Sequence, residues 1–224
     1  MEITNLGRAD GLPPVDWAAV AKKLDTGSAP APDAVNSRTT WLSTINQDGS
    51  PHVTAVGALW MDGTFWFQTG AATRKRRNLA RDPRCSLAVS IRDADVVIEG
   101  DAARVTEPGA LARIAKAWAD NGWPAEPDDS GPGITAPFNA PAQGPPPWNV
   151  YRIEPRSAIV TLAAEPGGLT RFRFLPRAGR AGHLVMAAGG SGAGITTATM
   201  ATQVTFPRKR AANGGPGRCL SSSR

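Results

Sequence analysis

The sequence predicts a mainly β fold, a small closed or nearly closed antiparallel barrel with two or three short helices. Three observations carry this reading. From Arg38 onward the apolar residues recur with a period of two, in short runs. Two of the first connections hold Asp48-Gly49 and Asp62-Gly63, among the strongest short-range hairpin signals. Helical spacing is confined to a few short stretches. The chain has 224 residues, enough to bury one substantial core. Seven Trp against one Tyr suit a barrel interior or a subunit interface, where large rings fill gaps.

The elements follow in order. Residues 15–24 place Trp17, Val20, Ala21 and Leu24 on one helical face, suited to packing over a barrel end. Residues 26–37 are rich in Pro, Ala and Ser and read as a linker. Residues 40–45, 51–60 and 65–69 form three antiparallel strands joined by the two Asp-Gly turns. Thr73 then opens a short helix that Asp82-Pro83 stops. Strands at 85–91 and 96–105 come next. Pro108 at a first-turn position starts a helix running to about Asn121. Residues 122–147 hold Pro, Gly and Asp without an apolar period, and a loop of this length is expected to be functional or mobile. The closing strands are 148–153, 158–162 and 169–174. The domain organisation expected is therefore a helix and linker at 1–37, the barrel at 38–174 and a tail at 175–224.

The basic run at the first barrel helix is the chain's most informative stretch. Thr73 at the N-cap precedes Arg74, Lys75, Arg76 and Arg77. A helix N-terminus presents unpaired N–H groups, and the cations add charge and directed donors. The expected cargo is a phosphate group on a cofactor. Four consecutive residues fan around a helix axis, so not all four cations can face one ligand.

Charge is unevenly placed along the chain. The formal net charge is +6, but residues 175–224 carry seven Lys/Arg and no Asp or Glu. The body is close to neutral, so the basic balance is not evidence for nucleic-acid binding. Phe206 is the tail's only aromatic residue, which also argues against a stacking platform for single strands. The tail reads as disordered and as no native extension of the barrel. Its run from Gly189 to Gly194 misses dinucleotide-loop spacing, because the third glycine would fall at Ile195. Cys85 and Cys219 suggest no disulfide framework, and His52 and His183 form no cluster with metal-ligand spacing. No signal or membrane-spanning run is evident, so a cytoplasmic protein is expected.

Gly-Ser-Pro-His-Val-Thr at 49–54, Thr-Arg-Lys at 73–75 and Asp-Pro-Arg at 82–84, in this order and between these strands, resemble a known family. It is the pyridoxamine 5′-phosphate oxidase-like superfamily of flavin and deazaflavin oxidoreductases, and the resemblance covers about residues 38–174. It implies a split β-barrel, an antiparallel Greek-key FMN-binding fold, and a homodimer with the flavin in a groove between subunits. Carried over by position, the cofactor contacts are His52, Val53, Thr54, Ala55 and Val56 on the second strand. Gln68 and Thr69 follow on the third strand, then Thr73, Arg74 and Lys75. His52 reads equally as a strand-surface histidine. Arg171 and Arg173 are either structural or reach the cofactor or an acidic substrate. True pyridoxamine phosphate oxidases carry an Arg-x-His motif there, and Arg171-Phe172-Arg173 departs from it, which argues against the vitamin B6 reaction.

The resemblance implies hydride transfer between a cofactor and a small organic substrate. Coenzyme F420, whose acidic tail matches the Arg-rich helix, is favoured slightly over FMN. No catalytic side chain is identified, as expected where the cofactor does the redox chemistry. The stretch 122–147, with Trp123, Phe138 and Trp148, reads as a lid over the flavin face. The rival reading is a split barrel that binds a flavin, haem or tetrapyrrole without turnover.

Overall fold

Short alternating segments need partners on both sides to bury an apolar face, and the chain supplies them by hairpins. The computed structural model describes residues 1–27, 39–137 and 143–175. Among these residues eleven strands form one antiparallel sheet. They are β1 (Glu2–Asn5), β2 (Thr40–Ile45), β3 (Pro51–Val56), β4 (Leu59–Met61), β5 (Thr64–Gly70), β6 (Arg84–Ile91), β7 (Ala94–Val105), β8 (Glu126–Pro127), β9 (Ile134–Thr135), β10 (Trp148–Leu162) and β11 (Gly168–Arg173). The helices are α1 (Trp17–Asp25), α2 (Arg74–Arg81) and α3 (Pro108–Asp120). The strand order is β1-β11-β10-β7-β6-β2-β3, with β5 joined to β10 and β4 to β5. The fold is mainly β with minor α, as a split β-barrel requires.

Two clusters make the core. Leu42, Phe67, Leu87, Val96, Ile98, Ile153, Val160 and Phe172 fill the barrel. Each such side chain contributes roughly 1.5–3 kcal/mol when fully buried. Phe67 and Tyr151 stack there with centroids 5.4 Å apart. The second cluster lies between the other face of β5 and β10 and helix α3, around Trp66, Ile114, Trp118, Ile134 and Trp148. Helix α1 is capped by Asp16, whose Oδ1 accepts from the Ala18 N–H at 2.9 Å. It buries Val20 and Leu24 against the barrel core, and Trp17 meets Phe172 and Phe174, both at 5.2 Å. The packing helix expected at 15–24 is thus present.

Four sequence expectations are corrected. Residues 51–60 are not one strand: β3 pairs with β2 while β4 pairs with β5, and Gly57-Ala58 makes the change of partner. Conversely, 148–153 and 158–162 are a single strand, β10. A register shift between Pro155 and Ser157 opposite β7 interrupts its alternation, and a proline is tolerated at such a bulge. Gly100 makes room, because a Cβ there would lie 2.2 Å from the Glu154 carbonyl oxygen. The N-terminal segment is more than a helix and linker, since β1 pairs along β11. Glu2, Ile3 and Thr4 are exposed, so an edge strand of this kind shows no alternating burial.

The fourth correction concerns 122–147. Its described part is ordered by pairing of β8 with β9 and of Ile134 with Trp148. Trp148 is fully buried, and Trp123 packs on Trp118 and Trp148 at 5.5 and 5.4 Å. Trp148 is core, and half-buried Trp123 packs against that core rather than forming a lid. Phe138, Cys219 and all but the first residue of the tail lie outside the described residues. No described helix is long and apolar enough to cross a membrane.

Candidate functional site

Helix α2 begins where β5 ends, and the junction is built from hydroxyls. Thr73 is the N-cap: its Oγ1 accepts from the Arg76 N–H at 3.3 Å and donates to the Gly70 carbonyl at 2.9 Å. With that proton committed, Thr69 donates to Thr73 across 2.7 Å. The predicted pair Thr69 and Thr73 is therefore brought together, with the Thr73 hydroxyl employed in capping its own helix. The first turn of α2 contains no acidic residue.

The cations fan as helical geometry demands. Arg77 donates to the Ala72 carbonyl at 2.7 Å, and Arg81 donates to the Ile45 carbonyl. Arg74 is exposed and Arg76 half-buried. Lys75 is only 3% exposed, and burial lowers its ammonium from 10.5 to about 8. Burial removes the water that would otherwise solvate this ammonium, so an anion brought close to it interacts more strongly than it would with an exposed lysine.

Lys75, Asn78 and Leu79 share one helical face, all buried. Asn78 Nδ2 donates to Thr44 Oγ1 and to Asn46 Oδ1, both at 3.1 Å, which fastens α2 to β2. Sequence reading missed Thr44, Asn46 and Asn78, although the spacing of Lys75, Asn78 and Leu79 was available as a signal. We expect Asn78→Ala to lose about 1–3 kcal/mol of stability in urea unfolding, because it removes one donor each from buried Thr44 and from Asn46. An unchanged midpoint would mean that the network does not hold the helix.

The five predicted residues of β3 divide between two faces. Pairing places His52, Thr54 and Val56 opposite buried Thr44, Leu42 and Thr40, on the barrel side. His52 is held below its ordinary value by burial, then by the charges of Arg74 and Lys75, which puts it within electrostatic reach of α2. Val53 and Ala55 point the other way, beside Trp41, and Val53 and Trp41 are 57% and 54% exposed. Gln68 and Thr69 likewise sit on opposite faces of β5. Arg171 and Arg173 lie on β11, which four strands separate from β3 in the sheet order.

A cavity of about 340 Å³ opens on the sheet's outer face, lined by Ser43, Arg84, Cys85, Glu99, Arg156 and Ser157 among others. None of the predicted site residues lines it. Its polar groups are engaged internally: Ser157 donates to Glu99 at 2.5 Å, and Arg84 and Arg156 pair with Asp82 and Asp101. Burial and then the Asp101 charge push the Cys85 thiol up to about 12, so it is inert as a nucleophile at neutral pH.

Several solved structures resemble the chain. A conserved hypothetical protein from Mycobacterium tuberculosis is 26% identical, with a TM-score of 0.43, over 64% of this chain and 82% of its own. A pyridoxamine 5′-phosphate oxidase-related, FMN-binding protein from Nostoc punctiforme is 15% identical, with a TM-score of 0.47, over 71% and 96%. PhzG from Burkholderia lata, in complex with tetrahydrophenazine-1-carboxylic acid, is 15% identical, with a TM-score of 0.49, over 78% and 94%. No curated protein matches the chain. Residues 33–140, a little under half of the chain and the part that carries β2 through β9 with α2 and α3, match the family model for pyridoxamine 5′-phosphate oxidase.

Proposed function

We propose that this protein binds a flavin-type cofactor, coenzyme F420 or FMN, at the N-terminus of α2 and works as an oxidoreductase on a small organic substrate. The observation that carries the reading is Lys75, a lysine buried in the first turn of a helix that has no acidic residue there. Lys75 and Arg74 neutralise the cofactor's phosphate, and half-buried Arg76 extends the cationic surface. Three cations at one helix end suit the longer anionic tail of F420 better than a single phosphate, so F420 is favoured slightly. His52 and Thr54, on the barrel side of β3, line the approach from the strand.

The bound cofactor supplies the hydride chemistry, and the protein binds, orients and excludes water. A second copy of the chain covers the outer face of β2 and β3, where exposed Trp41 and Val53 flank Ala55 at an edge strand. Equilibrium sedimentation is expected to give a dimer, and Trp41→Lys a monomer.

The decisive experiment is the visible spectrum of the purified protein, followed by titration with F420 and FMN. Binding of one of them, weakened at least tenfold by Arg74→Ala with Lys75→Ala in a protein that still melts cooperatively, is the expected result. Unchanged affinity in the double variant would move the site away from α2. Tight binding without acceptor-dependent oxidation of the reduced cofactor would favour a carrier over an enzyme.

A further inference from the structure

Strand β5 carries a second polar feature, on the side opposite the Thr69–Thr73 hydroxyls. Phe65 and Phe67 point into the barrel core and Trp66 into the cluster under α3. Alternation therefore puts Gln68 and Gly70 on the side of Trp66. Their β10 partners, Val150 and Trp148, belong to that same cluster. Gly70 has no side chain, and the space is occupied by another backbone: a Cβ there would lie 1.9 Å from the Gln143 carbonyl oxygen. Trp148 Nε1 donates to the Gly144 carbonyl at 3.0 Å, which pins the residue after Gln143. Gln143 is thus seated against the face of β5 that bears Gln68, two residues along the strand.

Both glutamines are 5% exposed, and the Oε1 of each is buried with no donor reaching it among the described residues. An unsatisfied buried carbonyl costs about 1–3 kcal/mol, and native proteins tolerate few of them. The backbone of Gln143 lies against Gly70, two residues along β5 from Gln68, so the two residues are near each other at the strand end that leads into the proposed cofactor helix. A carboxamide is uncharged and offers an acceptor beside a donor, so it suits a neutral N–H flanked by carbonyls better than a carboxylate. Both proposed cofactors have such an edge, the imide of the ring.

We infer that Gln143 and Gln68 form the subsite that takes the imide edge of the bound ring, with the single ring N–H shared between their two side-chain oxygens. Gln143 is a residue that neither the motifs nor the family match assigns, and the inference rests on the cofactor reading above. It predicts an unusual pair of effects. Gln143→Met removes an unsatisfied oxygen at similar volume, so the free protein melts at the wild-type temperature or higher. The same substitution weakens binding of the ring tenfold or more.

The test titrates wild type and Gln143→Met with FMN, F420 and their N3-methyl derivatives, alongside thermal melts of the free proteins. The expected result is that methylation weakens binding to wild type at least tenfold and that this discrimination disappears in the variant. Failure of wild type to bind either parent ring overturns the cofactor reading and this subsite together. Binding that neither methylation nor the substitution alters overturns the subsite alone. A free variant that melts well below wild type assigns Gln143 a structural role and also overturns it. The methylated ligands probe wild type directly, so the result does not depend on the variant's folding.

Discussion

Lys75→Met is expected to raise the stability of the cofactor-free protein at pH 7 while removing most of its cofactor affinity. In the folded chain Lys75 titrates at about 8, against 10.5 for an exposed lysine. Between these values the unfolded chain holds a proton that the folded chain has released, so wild-type stability climbs as pH rises from about 8 to 10.5. Below pH 8 both forms are protonated, and the net cost of holding this charge in the fold is about 3 kcal/mol at 1.36 kcal/mol per pH unit. Methionine fills a similar volume without charge, so the variant gains about 2–3 kcal/mol at pH 7. The two stability curves converge above pH 10.5. Urea unfolding across pH 6–11 measures this. A variant less stable than wild type at pH 7 would show that the ammonium is well compensated in the fold.

Affinity moves in the opposite direction. Loss of a charge-assisted contact to phosphate costs about 1.5–3 kcal/mol, roughly ten- to hundredfold in Kd. An anion also draws Lys75 back toward its ordinary titration range, so binding takes up a proton above pH 8. Wild-type affinity therefore stays level below about pH 8 and falls by up to tenfold per unit above it, and the Met variant lacks that slope. Fluorescence titration of the cofactor distinguishes the two.

Gly70→Ala is the substitution expected to damage the fold most. The new Cβ would sit 1.9 Å from the Gln143 carbonyl oxygen and 3.2 Å from its carbon. Both are backbone atoms, so no side-chain rotation relieves the clash. Either β5 shifts away from β10 or the segment ahead of Trp148 lifts off the strand. Overpacking against side chains costs about 1–3 kcal/mol, and a rigid backbone places this case at the upper end or beyond. For a domain of this size a 3 kcal/mol loss lowers Tm by roughly 6–12 °C. Calorimetry is the measurement, and a Tm within a degree of wild type would refute the close approach. The same variant displaces Gln143, so its cofactor affinity is expected to fall along with its stability.

Much of the fold was legible because its signals are local. The Asp48-Gly49 and Asp62-Gly63 turns, the Thr73 cap and Pro108 at a helix start each depend on residues a few positions apart. The structure bears out the strands 40–45 and 85–91 almost to the residue. The signal failed where one strand serves several partners. The strands expected at 148–153 and 158–162 proved to be one, β10, with a bulge between Pro155 and Ser157, because Gly100 on the facing strand leaves room for the Glu154 carbonyl. Likewise 122–147 has no apolar period of its own, yet Ile134 is buried against Trp148, which closes the segment onto the sheet. At the site, the basic helix and its threonine cap were readable in the chain. Its division into buried Lys75, exposed Arg74 and backbone-bound Arg77 was not.

Hairpin turns, helix caps, the period-two strands and the cationic first turn of α2 are thus properties of the chain's own local chemistry. Folding across long sequence separations decided which of those cations lost its water, which face of β3 turned toward α2, and that Gln143 would close over Gly70. The reason is physical. A turn or cap gains its energy from neighbouring backbone groups, whereas desolvation depends on which distant segment covers a residue, and nothing near that residue encodes the cover.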